Sequence, residues 1–378
     1  MSQVKKILFF IESLSGGGAE KVLTDLVSNL DKEKYDVTVC SLVNVGVYNE
    51  YLTSICTYKS ILPNRSHLNF IQKIGYAIQY KLYRKLPTSW LYKRFFRETY
   101  DVEIAFIEGY ATRIIGSSIN PESTKIAWVH IDLYANHWTS SEYNNIQEEI
   151  DTYKKFDHII SVAKSVQDAF SKRFGLTEKL SVKYNPVNRN DIIARSKEPL
   201  AINSPKKGVR LVTVGRLEEQ KGYDRLLEVA KWLKSDGFQF EIWIVGKGSK
   251  LSELENYISE HQLQDVITLQ GFQTNPYQFI NASDAFVCSS RSEGFSTVVT
   301  EALIIGKPVV ATDCSGMTEL LGENEYGLIT KNTTEDLYQG LKTFLSDTEM
   351  QNYYTQKSKE RSIDFDINKT TKSIEELL

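Results

Sequence analysis

The chain has 378 residues, 41% of them hydrophobic and 25% charged, with a net charge of −3. This is the composition of an ordinary globular protein and not of a disordered one, and the length exceeds what one hydrophobic core usually supports, so two domains are expected. No apolar run reaches the roughly 18 residues of a membrane span, and the run at residues 7–11 is too short for a signal-peptide core, so a cytoplasmic protein is expected.

The charge is uneven. Residues 1–190 hold 24 Lys+Arg and 20 Asp+Glu, a net of +4, and the remainder is −7. Cys40, Cys56, Cys288 and Cys314 show no C-x-x-C spacing and read as reduced core residues.

The first apolar run, residues 6–11, predicts a strand that leads into "SLSGGGAEK" at 13–21 and then a helix over 19–30, with Val22, Leu23, Leu26, Val27 and Leu30 on one face. Gly17 and Gly18 let backbone approach a ligand closely, but the loop lacks the spaced G-x-G-x-x-G of dinucleotide folds. The second strand, over 37–43, ends in "VCSLVN" without the acid that a nicotinamide ribose needs. Further strands are predicted over 102–107, 126–130 and 158–162. His130 closes "KIAWVHID" at a strand's carboxyl end; a lone histidine is usually structural, and only that position singles it out.

Residues 69–101 stand apart. Lys73, Lys81, Arg84, Lys85, Lys93, Arg94 and Arg97 face only two acids there, and aromatic residues are interleaved. The pattern favours contact with an anionic membrane surface over plain solvated helices; nucleic acid is disfavoured because the whole chain is acidic and carries no recognition motif.

Near residue 185 three prolines and scattered polar residues mark a break. We therefore expect a first domain over 1–188, a linker over 189–208, a second domain over 209–360, and a final helix within 361–378 that can pack back on the first domain. The second half repeats the alternation, with strands over 209–214, 240–245, 266–269, 285–289 and 308–312 and helices over 223–234 and 250–261. Such β-α repeats predict two Rossmann-like, doubly wound parallel-sheet domains facing a central cleft, with ligands at the carboxyl ends of the strands.

Three loops of the second half carry candidate chemistry. In "GRLEEQKG" Gly215 permits a tight exit from the strand, and Arg216 and Lys221 bracket a loop before a helix N-terminus, a site for a diphosphate; the plainer reading is two solvated charges. In "RSEGFSTVVTEAL" Glu293 and Glu301 stand eight positions apart, and Gly294, Phe295, Ser296 and Thr297 open a helix whose free N–H groups suit a phosphate or sugar hydroxyl. A carboxylate accepts two hydroxyl donors at once, as a vicinal diol offers. The plainer reading makes Glu293 a helix cap and Glu301 a solvated helix position. "VGKGS" at 245–249 fits a place where a base rests on backbone. "DFD" at 364–366 mimics a metal-binding D-x-D, but it precedes the last helix and reads as a cap, so no metal site is assigned.

Together these segments resemble the retaining glycosyltransferases of family 4, of GT-B fold and bacterial surface or capsular polysaccharide type. "GRLEEQKG" looks like their phosphate loop, "SRSEGFSTVVTEAL" like their E-x7-E segment, "GKPVVATDCSGMTELL" with "YGLI" like the stretch that follows, and "GGGAEKVL" like a first-domain loop. The resemblance implies that Arg216 and Lys221 hold the donor diphosphate, that Glu301 binds the nucleotide ribose, and that Glu293 with backbone of 294–296 holds the donor sugar. It also implies that Gly17 and Gly18 close over the reaction centre, that His130 lies beside the transferred sugar, and that Lys247 and Phe272 lie near the base. The expected activity is metal-independent hexosyl transfer from a nucleotide diphosphate sugar, a UDP-sugar by preference, to a glycan acceptor that is lipid-linked, on the inner face of the cytoplasmic membrane. A separate cofactor is not expected. The rival readings are a nicotinamide oxidoreductase, a sugar-nucleotide epimerase or phosphorylase, and a non-catalytic sugar-nucleotide binder.

Overall fold

The computed structural model describes residues 4–200 and 205–378. The chain forms two compact units, Met1–Pro186 with Asn368–Leu378, and Val187–Ile367.

The first unit is built on seven parallel strands: β1 Lys5–Ile11, β2 Tyr35–Val43, β3 Thr57–Leu62, β4 Val102–Ala105, β5 Thr124–Val129, β6 His158–Ser161 and β7 Leu180–Val182, in the order β3-β2-β1-β4-β5-β6-β7. Ile7, Leu8, Phe9, Phe10 and Ile11 are all buried, because helices cover both faces of a parallel sheet and its central strand has no solvent side. Ile7 pairs with Val37 on one side and Val102 on the other.

The second unit has six parallel strands: β8 Val209–Val214, β9 Phe240–Val245, β10 Ile267–Gly271, β11 Ala285–Cys288, β12 Val309–Thr312 and β13 Leu328–Thr330, in the order β10-β9-β8-β11-β12-β13. In both units the winding reverses beside the first strand, between β1 and β4 and between β8 and β11. Loops that leave neighbouring strands there diverge and open a crevice at the carboxyl ends. The glycine loop leaves β1, Glu108 follows β4, Arg216 follows β8 and Glu293 follows β11.

Three strands escaped the sequence reading. β7 and β13 are only three residues long, and β3, "TYKSIL", is an edge strand with just one buried residue. The expected linker, 189–208, is not all connector: Arg189–Ser196 is a helix of the second unit, capped by the Asn188 side chain, which accepts the Asp191 N–H. Its Ile192 is buried, and Arg195 donates to the Thr274 carbonyl at 2.8 Å. Residues 201–204 of that expected linker lie outside the described residues. The last helix, Ile367–Glu375, belongs to the first unit from Asn368 onward; Ile374 is fully buried and Lys5 Nζ donates to the Leu378 carbonyl at 2.7 Å.

Candidate active site

The loop after β8 turns at once. Gly215 donates to the Val245 carbonyl at 3.0 Å, and a Cβ on Gly215 would lie 2.8 Å from the Tyr223 hydroxyl. Arg216 is exposed and makes no ion pair among the described residues. A single turn, Glu219–Lys221, then ends at Gly222, which has φ of 62° and opens the helix Tyr223–Ser235. Only glycine fits this position, since a Cβ would stand 2.2 Å from the Ser289 carbonyl oxygen. Lys221 thus departs from the plainer reading by turning inward, whereas Arg216 is an exposed charge as that reading has it.

Lys221 Nζ meets Glu293 Oε1 at 2.6 Å, and Ser290 Oγ donates to the same oxygen at 2.6 Å. Burial alone would lower the lysine's pKa; the adjacent carboxylate outweighs it and the net shift is upward, so the ammonium stays charged. The helix Thr297–Ile305 begins at Ser296 without a side-chain cap, so Glu293 is not its cap. Glu301 is 3% exposed and not solvated; the Tyr277 hydroxyl donates to its Oε1 at 3.3 Å. Phe295 and Thr297 flank this helix start, and Ser296 Oγ is buried with no partner among the described residues. Gly294 lies under Gly316, where a Cβ would come within 2.1 Å of the Gly294 carbonyl oxygen.

Several residues that pattern reading passed over hold these two loops together. Gln220 donates to the Ser292 carbonyl at 2.8 Å, Ser289 Oγ to the Lys221 carbonyl at 2.9 Å, and Arg291 makes a two-pronged pair with Asp224 at 2.7 and 2.6 Å. Arg225 reaches the carbonyls of Ser289 and Ser290 from behind. Nothing in their spacing marks these contacts, because each joins segments more than sixty residues apart. Towards the open end of the same sheet, Lys247 Nζ sits 4.6 Å from the centroid of the exposed Phe272 ring, and Ser249 donates to Glu218 through both its N–H and its hydroxyl.

In the first unit, Gly17 is the N-cap of the helix Gly18–Asn29, and the Glu20 carboxylate of the first turn folds back against it: a Cβ on Gly17 would lie 2.3 Å from Glu20 Oε2. Leu14 anchors the loop through hydrogen bonds with Val45 and Val47. His130 follows β5. Its Nε2 is buried without a partner among the described residues, and burial pushes its pKa down to about 4, so the ring is neutral at pH 7. The sequence reading missed Glu108, which is 1% exposed and accepts the backbone N–H groups of His130 and Ile131. Burial outweighs those hydrogen bonds and raises its pKa to about 7.

The basic aromatic segment divides in two. The helix Phe70–Tyr83 leaves Phe70, Ile71, Ile74, Ile78 and Leu82 exposed, an apolar stripe at helical spacing, with Phe70 and Ile71 at 78% and 79%. Lys81, Lys85, Lys93, Arg94 and Arg97 are exposed, but Arg84 is not a free surface cation: it pairs with Glu12 at 2.8 Å and Glu142 at 2.5 Å. Among the described residues no helix is long and apolar enough to cross a membrane.

Known proteins match this arrangement over nearly the whole chain. Residues 195–361 match the family Glycosyl transferases group 1, and residues 16–191 match Glycosyltransferase Family 4. A Campylobacter jejuni protein, N-acetylgalactosamine-N,N'-diacetylbacillosaminyl-diphospho-undecaprenol 4-alpha-N-acetylgalactosaminyltransferase, is 29% identical over 96% of this chain and 96% of its own. The putative colanic acid biosynthesis glycosyltransferase WcaL of Escherichia coli is 30% identical over 39% of this chain and 38% of its own. Among solved structures, Anabaena HepE in complex with UDP and glucose superposes with a TM-score of 0.77 at 20% identity, covering 98% of each chain. The fold is that of the GT-B glycosyltransferases. The chain belongs to glycosyltransferase family 4 and is a glycosyltransferase.

Glu108 generates a testable pH dependence. A carboxyl whose pKa in the fold, about 7, lies above its ordinary 4.5 favours the protonated folded state, so this stabilisation is full below pH 4.5 and is lost as pH rises to 7. Glu108→Gln is neutral throughout and keeps an oxygen for both N–H groups. Urea unfolding should therefore show the variant gaining on the wild type between pH 4.5 and 7, by up to about 3 kcal/mol. Parallel curves for the two proteins would contradict the raised pKa.

Proposed function

We propose that the protein moves a hexosyl group, with retention at the anomeric carbon, from a UDP-sugar to a hydroxyl of a lipid-linked glycan during bacterial polysaccharide or glycoconjugate synthesis. The observation that carries this reading is the part-buried Lys221–Glu293 contact, in the same loop as the exposed Arg216 and at the switch point of the second sheet. The names of the Campylobacter and Escherichia relatives support the pathway class, and the UDP bound by HepE supports the nucleotide.

In this reading the bond from the anomeric carbon to the diphosphate oxygen breaks, and charge grows on the leaving phosphate. Arg216 and Lys221 stabilise that charge, supplying what a metal ion would otherwise bring. Glu293 accepts hydroxyls of the donor sugar, with the N–H groups of Gly294, Phe295, Ser296 and Thr297 beside it, and Glu301 accepts the ribose hydroxyls. Gly215 lets backbone approach the diphosphate, while Lys247 and Phe272 flank the base. In the first unit, taken by itself, His130 is neutral with Nε2 unpartnered among the described residues and would offer a hydrogen bond to a sugar at the carboxyl ends of that sheet, where Gly17 and Gly18 let backbone approach a ligand. The stripe on Phe70–Tyr83 and the cations after it bind the inner face of an anionic membrane, where a lipid-linked acceptor is found.

Two measurements test this. Arg216→Ala should lower kcat roughly 100-fold, the usual cost of one charge-stabilising donor, with an unchanged melting temperature because the side chain is exposed. Lys221→Ala should lose comparable turnover and also stability, since it strands the Glu293 carboxylate. Near-normal rates in both variants would overturn the assignment. Separately, vesicles rich in phosphatidylglycerol should carry the protein on flotation, and Ile71→Glu with Ile78→Glu should leave it at the bottom of the gradient. Equal flotation of both proteins would remove the helix from the membrane contact.

A further inference from the structure

Arg225 lies on the first turn of the helix Tyr223–Ser235 and is 6% exposed. Every acceptor around its guanidinium is neutral. Nε donates to the Ser289 carbonyl at 2.7 Å, Nη2 to the Ser290 carbonyl at 2.5 Å and Thr312 Oγ1 at 3.3 Å, and Nη1 to Asn332 Oδ1 at 2.8 Å. No carboxylate among the described residues lies within ion-pair reach, and the adjacent Asp224 is occupied by Arg291.

Buried cations are ordinarily paired, because the desolvation cost is otherwise uncompensated. Burial lowers the Arg225 pKa, yet a guanidinium keeps its proton inside proteins, so a full positive charge stands unneutralised beneath the turn at 289–290. That turn is also the one whose Ser290 hydroxyl meets Glu293. Gly222, the residue after Lys221, makes room for the group: a Cβ there would fall 2.7 Å from Arg225 Nε as well as 2.2 Å from the Ser289 oxygen. The motif glycine thus seats Arg225 as well as turning the chain.

We propose that Arg225 is a positioning residue with a second duty. It fixes the 289–290 turn from behind, and its uncompensated charge adds to the field of Arg216 and Lys221 where a nucleoside diphosphate binds. Because it is buried, salt screens it little. The inference rests on the donor reading above and adds a cation that touches no ligand.

Calorimetric titration of the wild type, Arg225→Lys and Arg225→Met with UDP, UMP and uridine tests it. A purely structural crosslink would weaken all three ligands alike. The charge reading predicts that the Met variant loses about tenfold or more in UDP affinity, less for UMP and under twofold for uridine, while the Lys variant keeps the wild-type ratio of UDP to uridine affinity. Equal losses across the ligands, or undiminished UDP affinity in the Met variant, would overturn the proposal. Should the Met variant not fold, the Lys variant decides, and a tenfold fall in its UDP to uridine ratio refutes the charge reading. A wild type that binds none of the three defeats the donor reading itself, which separates the two failures.

Discussion

The contact between Lys221 and Glu293 is the constraint on which the second unit's functional geometry depends. It joins two loops 72 residues apart in sequence at 2.6 Å, with the Lys221 and Glu293 side chains only 19% and 9% exposed. A buried ion pair is poor evidence of stability, because desolvating both charges consumes most of the attraction. Its consequence here is register. With the ammonium fixed on Oε1, the Ser290 hydroxyl on the same oxygen and the Gln220 amide on the Ser292 carbonyl, the loop that carries Lys221 and the loop that carries Glu293 cannot slide past each other. Any anion that Lys221 receives therefore meets Glu293 in a set geometry.

Close backbone approach completes this rigidity. A Cβ on Gly246 would sit 1.9 Å from the Gly215 carbonyl oxygen, and one on Gly316 2.1 Å from that of Gly294. Both residues have positive φ, 152° and 81°. Side chains at these two places would force apart the loops from β8, β9, β11 and β12 that carry the charged groups. The glycines are thus matters of clearance as much as of conformation.

Much of the second unit was legible in sequence, and the reason is periodicity. β8 and β9 lie over the same residues as expected, because a central parallel strand is a continuous apolar run with both faces buried. Loops that leave such strands inherit the certainty of the strand, so Arg216, Lys221 and Glu293 could be placed at strand ends before any coordinates. What failed was whatever depends on distant partners. β3 pairs at an edge and keeps one buried residue, so nothing local marks it. The helix Arg189–Ser196 buries little more than Ile192, and the prolines around it gave the louder signal. Glu108 and Arg225 went unremarked because each takes its meaning from carbonyl or N–H groups that only folding brings near.

Residues 69–101 show why a tally of charges is a weak guide to a surface. Seven cations are present, but Arg84 turns inward, its guanidinium 4.5 Å from the Tyr110 ring centroid and bound to Glu12 and Glu142, while Tyr83, Leu91 and Tyr92 are buried in the first unit. Glu12 directly follows β1 and precedes the glycine loop, so the helix Phe70–Tyr83 is tied at its inner end to the segment that carries Gly17 and Gly18. The outward part is dominated by its apolar stripe, with cations along the chain after it. Attraction between exposed cations and an anionic surface fades within a Debye length, whereas an inserted apolar stripe contributes only on contact. In the membrane contact proposed above the two would act in sequence, charge drawing the surface in and the stripe holding it, on a helix whose far end is clamped to the segment that carries Gly17 and Gly18.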